Sequence, residues 1–289
     1  MEIIKAERKQ AKIKLAFQGP SGSGKTFSAL LMAYGLAGSW DKIVVIDTEN
    51  GSSNLYAHLG DFNVINFSAP YTPEKFVAAI ALAESSGMEV IIMDSISHEW
   101  EGQGGILDVH SSMAGNSFTN WAKLTPRHNA FVQGILNCKC HVIGTIRSKQ
   151  DYVLTEKNGK HVPEKVGLKG VTREGMDYEF TVVLDLDIKH HATASKDRTC
   201  LFMDKPQFII TDNTGVKLKE WCESGSSVIE VIKQVEAVET INELRTIYNK
   251  YPEYRTQIEM LVKEKKRSLE AESFLNDVTL KASENGIRK

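Results

Sequence analysis

One octapeptide restricts what this chain can fold into more than any other feature. Gly19-Pro20-Ser21-Gly22-Ser23-Gly24-Lys25-Thr26 fits the spacing G-x-x-x-x-G-K-S/T. Its glycines let successive backbone N–H groups point inward at phosphate oxygens. Lys25 then neutralises charge on the outer phosphates and the Thr26 hydroxyl reaches Mg²⁺. The pattern requires a strand before it and a helix after it. Upstream, Ile13, Leu15 and Phe17 alternate with Lys12, Lys14 and Ala16, the period of a strand. Downstream, Phe27 to Leu36 is rich in Leu, Met and Ala and ends at Gly35 and Gly38, which predicts a helix whose positive end faces the phosphates. A plain glycine turn would leave Lys25 and Thr26 without a purpose. ATP and Mg²⁺ are the expected ligands.

Apolar runs and turn residues continue the alternation. Strands are predicted over 42–47, 63–67, 89–94, 141–146 and 178–186, with strand-like runs near Thr199 to Met203 and Gln207 to Ile210. Helices are predicted over 73–85 and 121–137, with a glycine-rich stretch around Glu101 to Gly105 between. This order predicts an α/β fold, a mostly parallel sheet with helices on both faces. After Trp221 the strand runs cease, and Val228, Ile232, Val235, Ile241, Leu244 and Ile247 recur at helical spacing. Pro252 breaks that pattern, so two or three short helices are expected, not one coiled coil. Glu223-Ser224-Gly225-Ser226-Ser227 reads as a linker, giving units 1–222 and 223–289.

Composition excludes several classes. Thirty-five basic residues against 37 acidic ones leave no global field for a polyanion, so any such partner must be met locally. No apolar run is long enough to span a membrane, and the first ten residues lack the hydrophobic segment of a signal peptide, so a cytoplasmic protein is expected. Four scattered cysteines do not make a disulfide framework, and Cys138-Lys139-Cys140-His141 reads better as the entry to an apolar strand than as a metal site.

Hydrolysis needs a second magnesium anchor and a group that activates water. Val90 to Asp94 is an apolar strand ending in a carboxylate, which resembles the Walker B pattern and makes Asp94 the anchor. Ile43 to Gly51 places Glu49 just past another strand, at the edge where ligands of open α/β sheets collect. Glu99 competes for the water-activating role because it follows Asp94 closely. With GPSGSGKT, DTENGS, DSISHEW, GTIRSK and GLKGVTREGMDYEF in order, residues 12 to 210 resemble the RecA-type ATPases, and more closely the small RecA-like ATP-binding proteins of bacteriophages that accompany recombination and single-strand annealing. The resemblance implies that Glu49 and Lys25 act in catalysis and that residues 19–26 bind nucleotide. It also implies that Thr145 senses the terminal phosphate, where RecA has glutamine.

The same resemblance implies a strand-binding surface in the segments that follow the strands over 89–94 and 141–146, roughly Trp100 to Thr119 and Ser148 to Arg173. Residues 147–173 carry seven basic residues, Arg147, Lys149, Lys157, Lys160, Lys165, Lys169 and Arg173, against three acidic ones, and Tyr152 could stack a base. A solvated charged hairpin turning at Asn158-Gly159 is the competing reading. RecA-like subunits complete one another's sites, which makes Lys205 the candidate trans-acting residue, with Lys196 and Arg198 behind it. His190 and His191 read as surface. Taken together, these features point to a Mg²⁺-dependent ATPase acting on single-stranded DNA in phage-type recombination or repair, forming a homo-oligomeric ring or filament, with a single-strand-binding or annealing protein as a further partner. A nucleotide-switched loader or interaction module and a small-molecule kinase remain as alternatives.

Overall fold

The computed structural model describes residues 12–157, 160–223 and 228–286. These form two compact units, one over 12–221 and one from Cys222 onward.

In the first unit five strands run parallel: β1 (Lys14–Gly19), β2 (Ile43–Asp47), β3 (Asn63–Asn66), β4 (Val90–Asp94) and the first half of β5 (His141–Lys157). The second half of β5 leaves the sheet and pairs antiparallel with β6 (Lys160–Gly170). Parallel β7 (Val182–Leu186) and antiparallel β8 (His191–Asp197) and β9 (Phe208–Ile209) complete the order β3-β2-β4-β5-β1-β7-β8-β9. Every residue of β2 and β4 is buried, as expected for strands covered on both faces, which is why their sequences read as unbroken apolar runs.

Helices α1 (Lys25–Ala37), α2 (Pro73–Ser85), α3 (Ser97–Glu101), α4 (Ile106–Ser112), α5 (Ser117–Asn137) and α6 (Met176–Glu179) connect the strands, and α7 (Asp212–Glu223) follows β9. On one face, Ala16, Val44, Ile91 and Val142 pack with Phe76 and Ile80 of α2 and Phe131 and Ile135 of α5. On the other, α1 lies along β1, β4 and β5. Helix α2 starts where its sequence dictates. Thr72 accepts a hydrogen bond from the Lys75 N–H at 3.3 Å, and Pro73 occupies the first turn, where its missing N–H costs nothing. Helices α1 and α7 meet so closely that a Cβ on Gly35 would lie 2.0 Å from the Asp212 carbonyl oxygen.

The structure corrects the later part of the sequence reading. The run Tyr178 to Leu186 is a strand only from Val182; residues 176–179 make a helical turn led by Gly175 with φ 89°. Thr199 to Met203 is not a strand. Asp197 accepts from the N–H groups of Thr199 (2.7 Å), Phe202 (2.7 Å) and Met203 (3.1 Å), and those bonds curl the segment into turns. The true strand there is β8, whose alternation of small and polar residues gave a weak signal. The basic segment after Ile146 has the backbone of the competing hairpin reading. Its backbone is a long hairpin, in register from Ser148 opposite Gly170 to Lys157 opposite Lys160, with a bulge at Asp151/Tyr152. The expected turn at Asn158-Gly159 lies outside the described residues, as does the Ser224 to Ser227 part of the expected linker.

The second unit holds α8 (Val228–Ala237), α9 (Ile241–Lys250) and α10 (Arg255–Gly286) around Val231, Val235, Leu244, Ile258 and Leu269. Thr240 and Glu243 form a capping box at the start of α9. Pro252 opens a 3-10 turn, Pro252–Tyr254, that separates α9 from α10. The expectation of short helices fails for α10, which runs for 32 residues. Among the described residues no helix is long and apolar enough to cross a membrane.

Candidate nucleotide site

The carboxyl ends of β1, β2, β4 and the parallel half of β5 come together at one edge of the sheet. Asp47 lies opposite Asp94, and Gly19, the first residue of the glycine loop, lies opposite Arg147. Beyond this edge opens a cavity of about 460 Å³. Ser21, Gly22, Gly24, Lys25 and Thr26 form one wall; Glu49, Ser52 and Tyr56 form a second; Asp94, Glu101 and Arg147 to Lys149 close it.

The loop is shaped for an anion. Gly22 and Gly24 hold φ of 78° and 83°, which side chains rarely tolerate, and thereby turn the backbone around the cavity. Helix α1 then begins with no side-chain cap and no acidic residue in its first turn, leaving its N-terminal N–H groups to a ligand. The Lys25 ammonium bridges the Gly19 and Pro20 carbonyls at 3.0 and 2.9 Å, an arrangement a phosphate can replace. Burial pulls its pKa below the ordinary lysine value, and the nearby Asp94 and Glu49 carboxylates oppose that. His190, exposed in the turn between β7 and β8, stands beside the loop: a Cβ on Gly24 would sit 2.9 Å from its Nδ1.

Asp94 ends β4 with its carboxylate between two hydroxyls. Thr26 donates to Oδ2 at 2.6 Å and Thr145 donates to Oδ1. Burial raises its pKa, while the two threonine hydrogen bonds act the other way. A hydroxyl and a carboxylate in contact are hard oxygen donors of the kind Mg²⁺ takes, so Thr26 and Asp94 fit the expected ion. Thr145 differs from the expectation. It is fully buried and its hydroxyl is engaged with Asp94, so it orients the carboxylate and does not face the cavity.

Glu49 rides on a loop that Asp47 organises. The buried Asp47 carboxylate accepts from the N–H groups of Glu49 (2.8 Å), Gly51 (3.2 Å) and Ser53 (2.9 Å). Thr48 ties the same loop to β4, its N–H donating to the Asp94 carbonyl at 2.8 Å. Glu49 therefore projects into the cavity from a fixed backbone. Both its carboxylate oxygens accept from Arg147, through Nε at 2.9 Å and Nη2 at 2.5 Å. Glu99 lies elsewhere: it is 1% exposed, its two oxygens lie 3.1 Å from His128 Nδ1, and it does not line the cavity.

The sequence is matched over residues 11–215 by a family described as the AAA domain. This chain belongs to that AAA domain family. No curated protein matches it. It is thus a nucleotide-binding P-loop ATPase, and AAA ATPase domains generally bind ATP and Mg²⁺.

Other residues of this AAA domain singled out in the sequence divide into groups. Arg147, expected to face DNA, is held in the nucleotide cavity by Glu49. Lys149 pairs with Glu101 at 2.6 Å on the cavity rim. Lys169 is exposed, while Arg173 is half-buried and donates to Thr125 at 3.2 Å. The side chains of Tyr152, Lys157, Lys160 and Lys165 lie outside the described residues. Lys205 is exposed in the turns before β9, and Lys196 donates to the carbonyls of Asp177 and Tyr178. Glu101 and Tyr56 escaped the sequence reading because no spacing rule connects them to the glycine loop, while His190, read as surface, is exposed. Glu84 escaped it too: with Cys138 and Cys140 it offers three ligand atoms within 4.8 Å. There the buried Lys14 ammonium, 2.7 Å from each cysteine carbonyl, places a positive charge beside the thiols.

Proposed function

We propose that this ATPase acts on single-stranded DNA in phage-type homologous recombination or repair, assembling as a ring or filament. One observation supports the reading above others: β5, which contributes Arg147 to the nucleotide cavity, runs on as one strand, bulged at Asp151/Tyr152, into the basic hairpin. Phosphate chemistry and a positively charged arm share one strand, so strand binding and nucleotide state have a physical connection. Lys169 at the base of the arm is exposed and available to a phosphate backbone. Lys205, also exposed, is the candidate for reaching a neighbouring subunit's nucleotide.

In hydrolysis, Lys25 and the N-terminal N–H groups of α1 bind the outer phosphates. Thr26 and Asp94 would hold Mg²⁺, which would supply charge neutralisation along the triphosphate. Glu49 orients a water and accepts its proton as the water oxygen bonds to the terminal phosphorus. The bond to the bridging oxygen breaks and its electron pair leaves with ADP. Thr145 keeps Asp94 oriented throughout.

The test is ATP turnover with and without single-stranded DNA, beside a salt titration of DNA binding. DNA should stimulate phosphate release, and affinity should fall steeply with salt because phosphate contacts release counterions. Turnover indifferent to DNA, together with no salt-sensitive binding, would remove the DNA role and leave a nucleotide-switched interaction module. Sizing with ATP reports the assembly.

A further inference from the structure

At the amino ends of β1 and β5, the edge of the sheet away from the nucleotide cavity, distant parts of the chain bring metal-ligating atoms together. Cys138 caps the end of α5, Cys140 immediately precedes β5, and Glu84 lies in the last turn of α2. The two sulfurs and a Glu84 carboxylate oxygen all lie within 4.8 Å of one another. Both cysteines are almost fully buried, while Glu84 is half-buried and gives the cluster its route to solvent. Its Oε1 accepts from the N–H of Lys139, the residue between the cysteines, at 2.6 Å, which aims the carboxylate at the turn. The Cys140 N–H donates to Cys138 Sγ at 3.4 Å and folds that turn tightly. His141, next in the chain, has its Nδ1 engaged elsewhere, accepting from the Ile13 N–H at 3.1 Å. Cys-x-Cys alone supplies two ligands, so the spacing argued against a metal; Glu84 arrives through the packing of α2 on α5. Lys14 is an independent observation. Its ammonium is buried and donates to the Cys138 and Cys140 carbonyls at 2.7 Å each, and a cation so placed is costly unless negative charge stands nearby. Two thiolates and one carboxylate against one ammonium leave two negative charges, which a divalent cation cancels.

We propose that Cys138, Cys140 and Glu84 hold a thiophilic divalent cation of the zinc type, which staples the end of α2 to the turn between α5 and β5. Tetrahedral zinc sits about 2.3 Å from sulfur and spaces its ligand atoms about 3.5–3.8 Å apart, so closing the cluster asks for roughly 1 Å of side-chain movement. Two sulfur donors select such an ion over Mg²⁺, which keeps to oxygen, so this site and the nucleotide cavity take different metals. Binding replaces two S–H bonds by two metal–sulfur bonds; both protons pass to solvent and no electron is transferred. Cys140 gives up its hydrogen bond to the Met88 carbonyl, 2.9 Å away, in exchange for the metal, and water fills the fourth position. Lys14 holds the turn in its ligating shape through the two carbonyls and offsets the thiolate charge.

The test uses the full chain, stripped by a chelator under reducing conditions and held in excess Mg²⁺ so that the nucleotide cavity does not compete. Titration with Co²⁺ should raise a thiolate-to-metal charge-transfer band that saturates at one ion per chain and disappears when Zn²⁺ displaces the cobalt. Zn²⁺ should also raise the thermal midpoint and protect both thiols from alkylation. Cys138→Ser and Cys140→Ser should each lose most of the band. Glu84→Gln should keep a band but bind Co²⁺ about tenfold or more weakly, at least the cost of losing a supporting partner at a metal site. Mg-ATP binding by the same preparations, at the other edge of the sheet, reports that each variant is folded. A folded wild-type chain that gives no charge-transfer band would overturn the site, and this result stands whether or not the variants fold. A band that survives undiminished in folded cysteine variants, or equal Co²⁺ affinity in wild type and Glu84→Gln, would overturn the ligand set.

Discussion

Replacing Glu49 by Gln removes one charge and almost no volume, so its consequences can be separated into those of the fold and those of the chemistry. For the fold, the Glu49–Arg147 pair is bidentate but 27% and 40% exposed, which limits its contribution to about 1 kcal/mol. Glutamine keeps an acceptor for Arg147 Nε, so the loss is smaller still, and in a unit of this size the melting temperature should fall by no more than about 2–4 °C. For the chemistry, loss of a positioned proton acceptor typically slows a reaction about 10²- to 10⁴-fold, equivalent to about 3–5 kcal/mol of barrier. The predicted signature is a large fall in kcat beside a small thermal shift. Phosphate release under saturating Mg-ATP, with differential scanning fluorimetry on the same preparation, reads both. Glu99→Gln is the control: with its carboxylate 1% exposed beside His128 and outside the cavity, its first effect should be on stability. An active Glu49→Gln enzyme, or a Glu99→Gln enzyme that is folded and dead, would refute the assignment.

Three further outcomes follow from buried polar groups and tight contacts. Asp47→Ala strips an acceptor from the N–H groups of Glu49, Gly51 and Ser53, so unfolding free energy should drop by about 2–4 kcal/mol and kcat should fall more than KM rises, read by steady-state kinetics and denaturant titration. Gly35→Ala puts a Cβ 2.0 Å from the Asp212 carbonyl, and overpacking of this kind should cost about 2 kcal/mol despite alanine's better helix propensity, measurable by thermal unfolding. His141 is buried with Nδ1 accepting from the Ile13 N–H, and burial, with Lys12 and Lys14 nearby, lowers its pKa to about 3. The unfolded chain takes up that proton near pH 6.5 and the folded one does not. Stability is therefore complete above that pH and should decline by about 1.4 kcal/mol per unit as pH falls toward 3. His141→Gln should flatten that slope in urea titrations across pH 4–7.

Legibility from the sequence followed the range of the interactions involved. Helix α2 was readable to the residue because Thr72, Pro73 and the apolar period are neighbours. Strands β2 and β4 were readable because burial on both faces leaves unbroken apolar runs, and their terminal acids, Asp94 and the nearby Glu49, could be placed at the ligand edge from that alone. What escaped were partners chosen across the fold. Arg147 and Glu49 are 98 positions apart, and no local pattern distinguishes an arginine facing a carboxylate from one facing solvent. Thr145 was misplaced for the same reason, its hydroxyl claimed by an aspartate 51 positions away. Strand β8 was missed because an edge hairpin needs little apolar patterning, and Asp197, a side-chain turn maker, disguised the segment that follows it.

The continuity of β5 carries a mechanical consequence. From Arg147 to Lys157 the strand reaches out about 34 Å at about 3.4 Å per residue, with its inner end fixed in the sheet. It is a cantilever whose pivot lies at the nucleotide. A tilt of about 5° at that pivot sweeps the far end through about 3 Å, roughly the axial rise between stacked bases.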